Sequence, residues 1–470
     1  MKHLLITIIL YILLFNQLVG QNITNYNVSN STLISSENQP FWFRANQDGK
    51  IISKNSFLNL TDLSYSGIYH LDDSISHFST GTDIIAGLGN KSQYFQINEL
   101  FAGFNFKNWE VKAGLWVNDM QFGGLSTSNG NIAKSRNSRP HPRISFLIPD
   151  YKPIPWIGKY VMFKGEFEEG WLNDDRYVMD THLHHKSFYL KFQLTRNFDL
   201  QGGLEHFVMW GGTSQDEKTG KMPTSVSAYL KYITGQSGSN EFLPTDQLNV
   251  AGNQYGTYQF MFTYYFPEWK LALNISHPFD DLSGMNLRNW KDNLLGLYIS
   301  TSNRNGFITD IIYEYTDTRN QSARSDSLYI WHEIRQEWRK EKYDNYFNHG
   351  IYKSGATYQK MAMVSPLFFP VIVENNINMG FESNKFIAHH LGAKGKLANY
   401  LSWKGMVTYI QHLGTYQNPY ENKLKQLSTY FEVFYYSPRV PVNIGLEIAA
   451  DKIKNKKDNL GIQFSISKSF

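Results

Sequence analysis

Apolar and polar side chains alternate at every second residue along much of this chain, in segments of about 8 to 13 residues set off by Gly, Asn, Asp and Pro clusters. Such segments are predicted strands, because a period of two puts successive side chains on opposite faces of an extended backbone. Tyr94, Gln96, Asn98, Leu100, Ala102, Phe104 and Phe106 share one expected face, opposite Phe95, Ile97, Glu99, Phe101 and Gly103. Trp109, Val111, Ala113, Leu115 and Val117 oppose Glu110, Lys112 and Gly114. The same alternation runs through Phe188, Leu190, Phe192 and Leu194, and again through Tyr258, Phe260, Phe262, Tyr264 and Phe266.

A soluble sandwich also alternates, so three further features decide between water and lipid. Strand ends carry Trp109, Trp156, Trp269 and the pair Tyr435 and Tyr436, which suits aromatic girdles at two membrane interfaces. The faces opposite the apolar stripes carry Lys, Glu, Gln and Thr, which suits a polar lumen. The chain ends on an alternating strand, with Leu460, Ile462, Phe464 and Ile466 leading to a terminal Phe470, although Lys468 interrupts the stripe. That ending resembles the signal read by the machinery that inserts bacterial outer-membrane barrels. Closure follows from physics, since an open sheet edge in lipid leaves unpaired backbone groups. The expected fold is therefore all-β: a transmembrane antiparallel β-barrel of about 18 strands, with short helices in the N-terminal segment and the extracellular loops.

Compartment is read from the first residues. Lys2 and His3 precede the apolar run Leu4 to Phe15, and small Gly20 stands before Gln21. The run is too short to span a bilayer and reads as a signal peptide, residues 1–20, leading to the bacterial outer membrane. No later stretch is apolar enough for a transmembrane helix. The 470 residues contain no cysteine, which excludes a disulfide-stapled fold. A net charge of +4 is too weak and dispersed to suggest nucleic acid. The 16% aromatic content argues against disorder.

The expected division is an N-terminal periplasm-side plug over 21–55 and a barrel over 56–470. Long extracellular loops are expected near 120–142, 211–250 and 317–370. In the second, Val226, Tyr229, Leu230 and Ile233 fall at helical spacing and predict a cap helix. In the third, Trp331, Ile334 and Trp338 fall on one helical face, opposite Glu333, Arg335, Glu337, Arg339 and Lys340. Aromatic faces stack on sugar rings, and bases pair with acidic groups on a glycan. The candidate polysaccharide-binding residues are accordingly Trp210, Tyr329, Trp331, Arg335, Trp338 and Arg339.

Motifs for catalysis are missing. Gly235-Gln236-Ser237-Gly238-Ser239 lacks the last glycine of a nucleophile elbow, and no phosphate-binding loop or H-E-x-x-H occurs. His182 and His184 share a strand face, yet a polar lumen accounts for them without a metal; no metal, cofactor or catalytic residue is expected. Carboxylates such as Glu166, Glu168 and Glu169 read as solvated.

Three separated stretches resemble the Wzi-type capsule assembly proteins. PFWFRANQDG at 40–49 is similar through Phe41, Trp42, Arg44, Asn46, Gln47 and Gly49, and HFVMWGGTS at 206–214 through Trp210, Gly211 and Gly212. The third, 347–368, is similar through Gly350, Tyr352, Ser354 and Gly355. The resemblance implies an eighteen-stranded outer-membrane barrel with a non-enzymatic, lectin-like role, holding capsular or extracellular polysaccharide at the cell surface. Its implied partners are that polysaccharide, outer-membrane lipid and the barrel-insertion machinery. Since a passive anchor must not leak, Trp42 and Arg44 are expected to insert at the periplasmic mouth and the 317–370 loop to help close the outer one. A porin for sugars is the alternative.

Overall fold

The computed structural model describes residues 22–52, 54–71, 75–248, 250–280, 282–323, 329–332, 336–340 and 343–470. The expected signal peptide lies outside them. Eighteen strands close into one antiparallel barrel. They are β1 (Asn22–Ser35), β2 (Phe57–His70), β3 (Ser76–Gly89), β4 (Gln93–Phe106), β5 (Trp109–Leu115) and β6 (Arg143–Ile154). Next come β7 (Gly158–Leu172), β8 (Thr181–Thr195), β9 (Phe198–Trp210), β10 (Asn253–Tyr265), β11 (Trp269–Phe279) and β12 (Asn293–Thr301). The wall is completed by β13 (Asp310–Asp317), β14 (Phe386–Ala398), β15 (Leu401–Gly414), β16 (Pro419–Tyr435), β17 (Asn443–Ile453) and β18 (Asn459–Ser469). Each strand pairs with its sequence neighbour, and β18 returns to β1 with Asn27 opposite Ser469. Among the described residues no helix is long and apolar enough to cross a membrane.

Outward positions carry the apolar stripe. On β18, Leu460, Ile462, Phe464 and Ile466 are exposed, as are Leu446 and Ile448 beside them on β17. An apolar band of this extent around a closed wall is the surface a bilayer covers. Trp109, Trp156 and Trp269 cluster with Tyr435 at the end that carries the termini and short turns such as 107–108, 155–157 and 266–268. Aromatic rings gather at that end, where Phe266 stacks on Trp269 at 3.8 Å and Trp109 on Phe146 at 4.9 Å.

The opposite end carries the long connections 36–56, 116–142, 211–252 and 318–385. Two expectations are corrected here. The barrel begins at Asn22 and not at 56, so the expected plug over 21–55 loses its first half to β1. That strand was hidden by its composition: Asn30 and Thr32, bonded to Asn59 and Thr61 of β2, interrupt the outward stripe of Tyr26, Val28 and Ile34. The remaining plug segment also enters from the long-loop end, not from the short-turn end, which is periplasmic in bacterial barrels.

Nor does β4 keep one face. Its register against β3 shifts at Asp83 and Ile84, leaving Asn98 without a partner. One extra residue reverses every later side chain. Phe95 therefore points out before the bulge, Leu100, Phe104 and Phe106 point out after it, and Gln96 and Asn98 are buried in the lumen.

The lumen at the long-loop end is filled. Helix α1 (Phe41–Arg44) inserts Phe41, Trp42 and Phe43, which join Leu125, Ile132, Val364, Leu367 and Phe368 in one buried core against inward residues of the wall. Burying Trp42 alone stabilises the plug by roughly 2–3 kcal/mol. The polar ends of this core are tied down. Glu314 of β13 accepts bonds from Ser126 Oγ, Thr127 N and Thr127 Oγ1 at 2.5–2.7 Å. His390 Nε2 donates to Leu125 O at 2.7 Å, and Trp42 Nε1 donates to Thr408 Oγ1 at 3.2 Å. Phe41 N donates to Asp451 Oδ2, and Arg136 pairs with Asp48 inside the plug.

Connection 211–252 behaves differently, folding over the outside of the wall. Helix α2 (Val226–Thr234) starts with Ser225 Oγ accepting from Ala228 N and stops at Gly235, whose φ is +65°. The helix stands where its spacing predicts, but its packed face differs. Ala228 and Tyr232 are buried against Val208 and Trp210, while Val226 and Leu230 are exposed.

Candidate functional site

Several connections converge on a cleft of about 480 Å³ at the long-loop end. Lys291 comes from the β11–β12 connection, Arg319 and Lys385 from the two ends of connection 318–385, and Lys423 from β16. Asp292 and Asp317 are the acids of its lining. Four bases against two acids leave two positive charges, so the cleft attracts anions.

The bases are held in place. Arg319 Nε and Nη2 donate to both oxygens of Asp317 at 2.9 and 2.7 Å, the fork geometry that fixes a guanidinium. Its carbonyl accepts from Tyr416 OH at 3.0 Å. Lys385 Nζ sits 3.4 Å above the Tyr416 ring, which stacks on Tyr343 at 4.7 Å. Trp290 projects beside Lys291, whose Nζ lies over one face of its ring at 5.7 Å, and is 66% exposed. Asp292 is buried and accepts from Asn320 N, Gln321 N and Tyr346 OH. Burial pushes its carboxyl up to about 6.

The residues singled out from sequence lie elsewhere. Trp210 is 8% exposed under α2 and donates Nε1 to Glu169 Oε1 at 2.8 Å, so its face is closed to a sugar. Glu169 also takes Tyr229 OH and His184 Nδ1, both at 3.1 Å, making it the anchor of the outer cover. Trp331 and Trp338 are exposed but not helical. Tyr329–His332 pairs with Glu337–Lys340 as a hairpin, setting Trp331 opposite Trp338 with ring centroids 5.7 Å apart. A cross-strand aromatic pair explains the spacing better than a helix, because Tyr, Ile and Trp favour extended backbone. In that hairpin Tyr329 pairs with Lys340 and Arg339 with Ile330; Arg335 lies outside the described residues.

Sequence reasoning missed Lys291, Arg319, Lys385 and Lys423. They are far apart in the chain, and only barrel closure brings them together. The one local signal is Trp290-Lys291, an aromatic beside a base in a long loop.

A family model described as capsule assembly protein Wzi matches residues 17–368. The chain belongs to the Wzi family. Among solved structures it is similar to Wzi of Escherichia coli, an outer-membrane protein involved in group 1 capsule assembly and a carbohydrate-binding β-barrel. That similarity has a TM-score of 0.59 at 12% identity, over 94% of this chain and 83% of the other. OpdQ of Pseudomonas aeruginosa is similar with a TM-score of 0.50 at 8% identity, over 97% and 99% of the two chains. At such identities the likeness is one of fold. No curated protein matches the sequence.

The positions resembling Wzi-family motifs build the plug and the start of the outer cover rather than the cleft. Phe41 and Trp42 lie in its core, Arg44 Nε donates to Gln39 O, and Asn46 Nδ2 donates to Thr127 O at 2.9 Å. Gln47 O accepts from Lys50 N. Gly49 and Gly211 hold positive φ, and Tyr352 OH reaches Gly211 O at 3.2 Å. Gly350 has open space where a Cβ would stand. Ser354 Oγ donates to Asn378 O. Gly212 and Gly355 have φ of +81° and +58°, and a Cβ there would lie 2.4 Å from Met179 O and 2.3 Å from Phe347 O. Gly355→Ala is accordingly expected to destabilise the plug by roughly 1–3 kcal/mol, seen as a lower temperature of loss of compact migration on a detergent gel.

Proposed function

We propose that this protein is a non-enzymatic, lectin-like receptor of the bacterial outer membrane that holds acidic capsular or extracellular polysaccharide at the cell surface. In this reading residues 1–20 direct export, Phe470 serves insertion by the barrel machinery, and the long-loop end faces outward. The observation that carries the reading is the cationic cleft, walled by Lys291, Arg319, Lys385 and Lys423 and flanked by exposed Trp290, above a filled lumen. Bases in fixed positions pair with uronate or other acidic substituents, and an exposed indole stacks on a sugar face. Membership of the Wzi family and the likeness to a carbohydrate-binding barrel support it.

The test is retention. Cells lacking the protein are expected to shed polymer into the medium, and purified protein in detergent micelles to bind the cell's own acidic polysaccharide. Unchanged retention after deletion overturns the reading.

Acidity supplies a second check. Below pH 6 Asp292 takes up a proton and loses its negative charge, so the cleft gains one positive charge. Sugar carboxyls, near the roughly 3.3–3.7 of an α-carboxyl, stay ionised at pH 5. Binding is expected to tighten severalfold from pH 7 to pH 5, and Asp292→Asn to flatten that profile in a calorimetric titration.

A further inference from the structure

Beside the outward pair His182 and His184, His185 of β8 points the other way. It faces the lumen, fully buried, with its ring stacked on Phe207 at 4.2 Å. Its Nδ1 lies 3.7 Å from Glu166 Oε2, and its Nε2 lies 3.4 Å from Glu205 Oε2. His141, from the plug connection 116–142, brings Nε2 to 3.5 Å from Glu168 Oε1. His185 Nδ1 and Nε2, His141 Nε2 and Glu205 Oε2 are all buried polar atoms without a hydrogen-bond partner. Buried groups of this kind are costly unless something satisfies them.

The spacing suggests what does. The 3.7 Å from His185 Nδ1 to Glu166 and the 3.5 Å from His141 to Glu168 are longer than an N–H···O bond, which runs about 2.7–3.2 Å. They match the edge of a tetrahedron whose corners stand ~2.1 Å from a central ion, roughly 3.4 Å. Ligand atoms of Glu166, Glu168 and His185 all lie within 4.8 Å of one another.

We propose that Glu166, Glu168 and His185 Nδ1 form a divalent transition-metal site in the lumen, of the kind that takes zinc, with His141 beside it against Glu168. An imidazole with two carboxylates suits zinc better than magnesium or calcium, which prefer oxygen alone. Glu205 acts as the outer partner. Its Oε2, 3.4 Å from His185 Nε2, is placed to accept Nε2–H once an ion draws the ring in, which selects the tautomer that leaves the Nδ1 lone pair for the ion. Tyr189 OH holds the other Glu205 oxygen. Ser145 Oγ donates to Glu166 Oε1 at 2.8 Å, and Lys134 and Arg143 stand 3.3 and 3.1 Å from Glu166 Oε2 and Glu168 Oε2. Glu166 and Glu205 also line a lumenal cavity of about 410 Å³ under the plug, which gives an ion a route in.

The experiment uses the full mature barrel in detergent micelles, stripped with chelator and titrated with Zn²⁺ by calorimetry and with Co²⁺ by visible absorption. One ion per chain is expected, with a Co²⁺ band typical of four or five N/O ligands and a raised melting temperature. His185→Gln is expected to abolish the band and Glu205→Gln to weaken binding about 10–100-fold. His182→Ala, on the outer face, is expected to change nothing. Absence of saturable binding to the unmodified protein overturns the proposal whatever the variants do. Binding that survives His185→Gln in a folded barrel, or is lost with His182→Ala, overturns it too. If His185→Gln does not fold, Glu205→Gln decides, and unchanged affinity there counts against the site.

Discussion

Planar bilayers containing the intact mature protein are expected to show no steady conductance, and replacing residues 118–140 by a short Gly/Ser linker is expected to produce large open-pore steps. An eighteen-stranded barrel is wide enough for water, so closure must come from what fills it. Connection 116–142 supplies Leu125 and Ile132 to the core, and its Ser126 and Thr127 hold Glu314 of the wall. Asn274 of β11 adds a bond to Gly130 O at 2.8 Å, and Ser276 accepts from Ile132 N at 3.1 Å. The deletion removes all of these while leaving every wall strand in place. It also takes from Glu314 and His390 the hydrogen bonds they share with this connection, so water rather than collapsed protein should occupy the space. Heat-modifiable migration on a detergent gel confirms that the wall is intact. Steady conductance from the undeleted protein would sink the plugged-anchor reading and revive the porin alternative.

How far the sequence discloses this molecule depends on what sets each feature. Alternation at two and the aromatic strand ends are properties of single strands, so the barrel, its outward stripe and the girdle at Trp109, Trp156 and Trp269 are legible. Features made by one residue against another strand are not. The bulge at Asn98 reverses the faces of β4, and nothing local marks it. Strand β1 escapes because Asn30 and Thr32 satisfy each other's neighbours across the wall, a pairing that hydropathy cannot see. Trp331 and Trp338 fit a helix by spacing and a hairpin by contact, and the chain chose the contact.

The candidate site was less legible still. Trp210 stood out as a tryptophan at a strand end, yet Glu169 captures its Nε1 and α2 covers its face. The motif stretches at 40–49 and 347–368 drew attention as a signature, and they serve the plug. Local sequence therefore announced the residues that must pack closely, while the cleft residues are separated by long stretches of chain and share only a position at one rim.

The cleft itself gives the second large effect. Reversing Lys291, Arg319, Lys385 and Lys423 together to Glu is expected to abolish binding of acidic polysaccharide, with at least roughly 100-fold loss, while leaving the barrel folded. Each exposed charge contributes about 0.5–1 kcal/mol after screening, so four removals alone approach the hundredfold mark and the added repulsion carries it further. Arg319→Lys is the milder probe. It keeps the charge but loses the two-oxygen grip on Asp317, so a loss of about tenfold there assigns the effect to orientation rather than to net charge. Trp290→Ala is expected to cost about 0.5–1.5 kcal/mol for acidic and neutral polymers alike, since stacking ignores charge. Raising salt should weaken the unmodified protein toward the reversed variant, because the Debye length falls from about 10 Å at 0.1 M to about 3 Å at 1 M. A repeating polymer presents the same acid many times to many barrels in one membrane, so modest loss per cleft multiplies into loss of the whole surface layer. Cells carrying the reversed variant should therefore shed polymer almost as completely as cells without the protein, and a variant that keeps its coat would show that the cleft is not where the polymer is held.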